Sequence, residues 1–203
     1  MDFVLRLPHT FRKHDLILVV VDHFSKMAYF LPCSKTFDAS KIAKLYFDEI
    51  VKIYGLPKTV VFDRDVRFMS YFWKTLCHLV GTKLKISTTF HPQTDSQTKV
   101  VNCSRGNLLR CLMGEANQNW DSILSTAQLA YNSSANRFIG TSSFEVVHGY
   151  IPRKPLDLLP TSPHVRIFKS TEAFARHIHD LHNKIRKKIE VCNSQYKIHA
   201  ITR

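Results

Sequence analysis

The amino-acid sequence predicts an α/β protein built on a mixed sheet, and three observations lead there. Short aliphatic or β-branched runs at residues 16–22 and 59–62 have the length and composition of buried strands. Segments with apolar residues at helical spacing alternate with them, opened by capping residues and closed by glycine. The first three strands are joined by short connections, which favours an antiparallel meander, whereas helices separate the later ones.

Residues 2–5 form the first strand and the almost purely aliphatic 16–22 the second. Residues 27–31 form the third, ended by Pro32. Asp38 is suited to cap a helix whose apolar side is Ile42, Leu45, Tyr46, Ile50 and Ile53, closed by Gly55 and Pro57. The strand at 59–62 then ends at Asp63. Ser70 can cap the next helix, with Phe72, Trp73, Leu76, Leu79 and Val80 as its apolar side and Gly81 as its stop. Residues 84–87 make a fifth strand and 90–96 a loop. A helix follows over about 97–114, weakened by Gly106 by roughly 1 kcal/mol relative to alanine. Another helix covers 120–131, and Ser142-Ser143-Phe144-Glu145 is a capping-box signature for one more.

Residues 1–150 therefore read as one domain. Residues 151–169 carry Pro152, Pro155, Pro160 and Pro163 and read as a linker. Residues 170–203 form a basic amphipathic helix with an apolar seam of Phe174, Ile178, Leu181, Ile185, Ile189, Cys192 and Tyr196. Its other faces carry Arg176, Lys184, Arg186, Lys187, Lys188 and Lys197. Such a helix packs on a core with its charges solvated, or it contacts DNA or a second copy. His177, His179 and His182 cluster on it without an i, i+4 pair and read as surface residues.

Composition narrows the function. The 203 residues are 44% hydrophobic and contain no apolar run long enough to span a membrane. The N-terminus lacks the pattern of a signal peptide, and five widely spaced cysteines without a CxxC pair read as reduced thiols in an intracellular protein. A net charge of +13 and a pI near 9.7 favour a polyanionic partner, most simply nucleic acid. No histidine and cysteine spacing matches a zinc site.

Metal-dependent phosphoryl transfer needs carboxylates that converge on one spot, and in open sheets these stand at strand ends. Asp2 on the first strand and Asp63 at the end of another fit that requirement. Asp22 ends a stronger strand and is a rival for the first position. Asp65 and Asp95 read as loop residues that cap or pair with neighbours.

Several sequence words carry a family resemblance. They are Met1-Asp2-Phe3-Val4 with Leu7-Pro8, and Val20-Val21-Asp22-His23-Phe24-Ser25-Lys26-Met27. Asp63-Arg64-Asp65-Val66-Arg67-Phe68 with Phe72-Trp73 comes next, then His91-Pro92-Gln93-Thr94-Asp95-Ser96-Gln97-Thr98. Phe144-Glu145-Val146-Val147-His148-Gly149 and Pro152-Arg153 complete the set. In this order and spacing the chain resembles the catalytic core of gypsy-type LTR-retrotransposon integrases over nearly its whole length. The resemblance implies an RNase H-like fold with a five-stranded mixed sheet flanked by helices. It also implies DNA integration with Mg²⁺ or Mn²⁺ held by two aspartates and a glutamate. Carried over by motif, the aspartates are Asp2 and Asp63, and the glutamate position, after a 35-residue interval from 64 to 98, is Lys99.

Departures from that pattern bear on activity. An ammonium at position 99 cannot ligate a hard cation and repels one. Ser96 replaces the usual glycine, and Phe62 stands where serine is common. The expected protein is an integrase core whose catalysis is impaired, binding DNA through phosphate contacts, nuclear if it functions and without a membrane partner. A homodimer is left open. The alternatives are a non-enzymatic DNA-binding or dimerisation module derived from the integrase, and a weak metal-dependent nuclease using Asp2 and Asp63.

Overall fold

The computed structural model describes residues 1–5, 7–62, 64–86, 118–152 and 171–201. They divide into two compact units. The first comprises Met1–Val21 and Ala28–Gln128, the second Asp22–Met27 and Leu129–Arg203.

In the first unit, β1 (Asp2–Val4), β2 (Leu16–Val21) and β3 (Ala28–Cys33) form an antiparallel sheet in the order β1-β2-β3. Asp2 lies opposite Val19, and Ile17 opposite Pro32. Leu16, Ile17, Leu18 and Val19 have no exposed surface, which explains a strand that is aliphatic on both faces. Pro32 lies inside β3 instead of ending it. The missing N–H is tolerated because β3 is an edge strand of this sheet. The outward Phe30 N–H, two residues earlier, donates to Gln128 Oε1 at 2.9 Å.

β4 (Thr59–Phe62) and β5 (Lys83–Ile86) pair in parallel, with Thr59 opposite Lys83 and Phe62 opposite Ile86. Among the described residues the sheets thus have three and two strands, which corrects the expectation of one five-stranded sheet. β1 is only three residues long, and its Phe3 N–H donates to Asp2 Oδ1 at 2.7 Å, so that donor is lost to a ladder. The Met1 amino group still reaches β4, donating to Val61 O at 2.6 Å.

Helix α1 (Ala39–Tyr46) begins at Asp38, whose carboxylate accepts the Lys41 N–H at 2.9 Å. It continues through a π-helical turn, Phe47–Val51, into Lys52–Tyr54, and Gly55 ends it at φ +74°. The wider turn shifts the helical phase. Ile42, Tyr46 and Ile50 remain buried, but Ile53, expected on the same face, is 57% exposed. Helix α2 (Tyr71–Leu79) is capped by Ser70 Oγ, which accepts the Trp73 N–H at 3.3 Å. Its core face is Trp73 and Cys77; Phe72 and Leu79, also expected inside, lie outside. Phe3, Phe62, Phe68 and Trp73 form one aromatic cluster beneath the strands. Phe3 stacks on Phe68 at 5.0 Å, and Phe68 meets Phe62 and Trp73 at 5.4 and 5.5 Å.

Helix α3 (Trp120–Ser133) is tied at its start to the loop before β2. Trp120 Nε1 donates to Pro8 O at 2.8 Å. Asp121 Oδ2 accepts from His14 Nδ1 at 2.8 Å and from Thr10 Oγ1 at 3.2 Å. Burial works to raise the Asp121 pKa, but those bonds together hold it below the usual carboxylate value.

In the second unit, Ser142 Oγ caps α4 (Ser143–His148), accepting the Glu145 N–H at 3.1 Å. The Glu145 carboxylate takes the Thr141 hydroxyl, so the capping signature is used with a shifted partner. Helix α5 (Thr171–Ile201) buries Ile185 against Ile139 and Val146, with Leu181, Ile189 and Phe24 around them. His182 is not a surface residue: its Nε2 bonds Val146 O at 2.8 Å and its ring meets Phe24 edge-on at 5.3 Å. The expected helix at 97–114 and the linker at 153–169 lie outside the described residues, as do the side chains of Cys192 and Tyr196. Among the described residues no helix is long and apolar enough to cross a membrane.

Candidate active site

Asp2 is presented by β1, and its neighbours fix the strand from both sides. Val19 lies opposite it on β2, while the adjacent Met1 is bonded to Val61 of β4. Val61 precedes Asp63 by two residues in the chain. Asp63 and Lys99 lie outside the described residues, as does Asp95, so their distances from Asp2 form no part of this geometry.

The segment after β4 is anchored beside β1 by a clamp. Arg67 Nε and Nη2 donate to the two Asp65 oxygens at 2.8 Å each, and Asp65 Oδ1 also accepts the Arg67 N–H at 3.0 Å. The guanidinium lies 3.8 Å from the centroid of the Phe3 ring. Charge-assisted bonds from Arg67 hold the Asp65 carboxyl below its ordinary value, and the same bonds raise the Arg67 pKa. The pairing expected for Asp65 is therefore present. The role of Arg67 was not read from the sequence, although an aspartate two residues before an arginine is the signal that could have shown it. Phe62 packs against Phe68, so the bulky residue where serine is common fills the aromatic cluster.

Asp22 is engaged in the turn between β2 and β3. Its Oδ2 accepts both the Ser25 N–H and the Ser25 hydroxyl at 2.7 Å. Lys26 in the same turn adopts φ +60° and is 2% exposed; its ammonium donates to His23 O. Burial lowers the Lys26 pKa to about 8, with Asp22 opposing part of that shift. Cys33 and Cys77 are buried free thiols, and burial pushes the Cys33 thiol up to about 12. Among the described residues, no three His, Cys, Asp or Glu side chains are grouped to hold a metal.

No family model matches the chain. Transposon Tf2-3 and Tf2-4 polyproteins of Schizosaccharomyces pombe (strain 972 / ATCC 24843) are each 35% identical to it over 159 residues, 78% of the chain. The chain spans only about 12% of the length of these relatives. Its fold is similar to the HTLV-2 integrase catalytic core domain solved in complex with magnesium, in trimeric form. That likeness has a TM-score of 0.53 and 16% identity, and covers 71% of this chain and 93% of that one. A simian T-cell lymphotropic virus intasome, solved in complex with PP2A regulatory subunit B56 gamma, gives a TM-score of 0.60 at 16% identity, covering 84% of this chain and 59% of that one. The catalytic core domain of BIV integrase gives 0.55 at 16% identity, covering 71% and 91%.

The fold is thus the RNase H-like α/β fold of integrase catalytic cores. Joined to the sequence match with the Tf2 polyproteins, it assigns the chain to the LTR-retrotransposon integrase cores.

Proposed function

We propose that this integrase core binds DNA without sequence preference and is impaired as a polynucleotidyl transferase. The observation that carries the reading is the position of Asp2, on a strand bonded beside β4, within an integrase-core fold. Residues 1–150 would supply the core, 151–169 a linker and 170–203 a basic helix, with a nuclear place of action.

In this reading Asp2 and Asp63 occupy the metal-binding positions and Lys99 the third. With a carboxylate at the third position, such a donor set would hold Mg²⁺ or Mn²⁺, which would supply Lewis-acid polarisation of a phosphate. Two carboxylates and an ammonium do not match a two-metal donor set, because the ammonium has no lone pair and carries like charge. Beside the two aspartates, Lys99 would act as an internal counter-ion and favour their charged forms.

The test pairs the unmodified chain with Lys99→Glu, using Mn²⁺ calorimetry alongside nuclease and strand-transfer assays. The unmodified chain should show no heat of binding, and the variant should gain metal affinity at a carboxylate-lined site. Tight binding by the unmodified chain would refute the impaired site. Metal-dependent cleavage that Asp63→Asn abolishes would establish the weak nuclease in its place.

A further inference from the structure

We propose that one shoulder of α5, formed by Lys184 and Lys188 with Arg137 from the loop between α3 and α4, is a docking surface for the phosphate backbone of duplex DNA. This rests on the DNA-binding reading above and adds a place for it, within the second unit.

The apolar seam of α5 turns inward at Leu181, Ile185 and Ile189. Lys184 precedes Ile185 and Lys188 precedes Ile189, so both lysines stand on the same flank of the seam, one turn apart. Both are exposed. The helix therefore cannot rotate them away without unburying Ile185, which is 1% exposed.

Arg137 joins them through a tight loop. Asn136 O accepts the Gly140 N–H at 2.7 Å, and Thr141 O accepts the Asn136 N–H at 2.9 Å. The Lys188 ammonium packs directly over Gly140, where a Cβ would collide with it. The loop that carries the exposed Arg137 is thereby held beside Lys188.

Ion pairing separates this flank from the start of the helix. Arg176 is paired with Glu172 at 2.6 Å. Lys184, Lys188 and Arg137 have no ion-pair partner among the described residues. Asp180 stands one turn before Lys184, and the Glu145 carboxylate is already occupied by Thr141. Among the described residues, three cations against the Asp180 carboxylate leave the shoulder positive. Lysines four residues apart on a helix are about 6 Å apart along its axis. The flexible lysine stems extend that span, so neighbouring cations can reach phosphates along one strand.

The test is fluorescence anisotropy of the full chain on a mixed-sequence duplex across about 50–200 mM salt. Substituting Arg137→Gln, Lys184→Gln and Lys188→Gln together should reduce the log–log salt slope by roughly 2–3, near 0.9 for each phosphate no longer neutralised. Exposed Lys52, Lys58 and Lys74 in the first unit, changed to Gln together, remove the same charge and should lower the slope by less than about 1. Lys184→Arg with Lys188→Arg should keep the slope. Equal reductions from the two triple variants would overturn this surface while leaving DNA binding intact. A flat salt response of the unmodified chain would overturn the DNA-binding reading itself.

Discussion

Arg67 lies over the ring of Phe3 at 3.8 Å, and Phe3 immediately follows Asp2. The guanidinium is simultaneously held by both oxygens of Asp65. A residue in the segment after β4 thus grips the strand that carries the first candidate ligand. Stacking and the ion pair reinforce each other, because the fork that meets Asp65 also fixes the plane that meets Phe3.

Arg67→Lys should destabilise the chain by about 1–3 kcal/mol, since lysine keeps the charge but loses the fork and the flat face. Urea unfolding measures it. A midpoint equal to that of the unmodified chain would show that the clamp contributes nothing.

The Asp65 pKa is lowered in the folded state. Its stabilising effect is therefore complete above the unfolded carboxylate value, about 3.9, and is lost as pH falls through the lower folded value. Asp65→Asn should cost stability at neutral pH and flatten the loss of stability in acid. Parallel acid-unfolding curves for the two proteins would contradict this.

Lys26 predicts the opposite end of the scale. Its folded pKa is about 8 against 10.5 for the free group. Below pH 8 both states hold the proton, and the cost of burying it is fully present. Between the two values the unfolded chain binds more protons, so stability rises with pH. Lys26→Met should abolish that rise and stabilise the chain at pH 7. The upper limit is about 3 kcal/mol, less about 1 for the lost bond to His23 O. Thermal midpoints across this window decide it, and an undiminished rise in the variant would reject the assignment.

Gly149 closes α4 at φ +78°, and a Cβ there would strike Ile178 Cδ1 and come within 3.0 Å of Phe174 Cε2. Gly149→Ala should cost more than about 1 kcal/mol, because backbone strain adds to displacement of α5. Calorimetry should show a lower melting temperature than for Gly55→Ala, where nothing lies within 4 Å of the added atom.

The strands of the sequence were legible because β2 is aliphatic throughout and β4 is β-branched up to a buried Phe62. Caps at Asp38, Ser70 and Ser142 were legible too, since a short polar side chain before an apolar period has one efficient use. The phase of Ile53 was not, because one π-helical turn shifts every residue after it and leaves no compositional mark. Nor was the half-buried place of His182, whose bonding partner is a backbone carbonyl 36 residues away. Of the candidate site, Asp2 was found on the strand its pattern required, and Asp65 in the pairing open to it. The hold of Arg67 on Phe3 was hidden because it joins two words that are far apart in the chain.

Pro32 has a consequence for association. The outer rim of β3 has its Phe30 donor already committed to Gln128, and two residues on it offers a ring nitrogen with no hydrogen. A foreign strand laid along that rim would find consecutive rungs missing. β3 is thereby closed to growth of the sheet by a second molecule, and two copies of this chain would have to meet through side-chain surfaces instead of by continuing a backbone ladder at that rim.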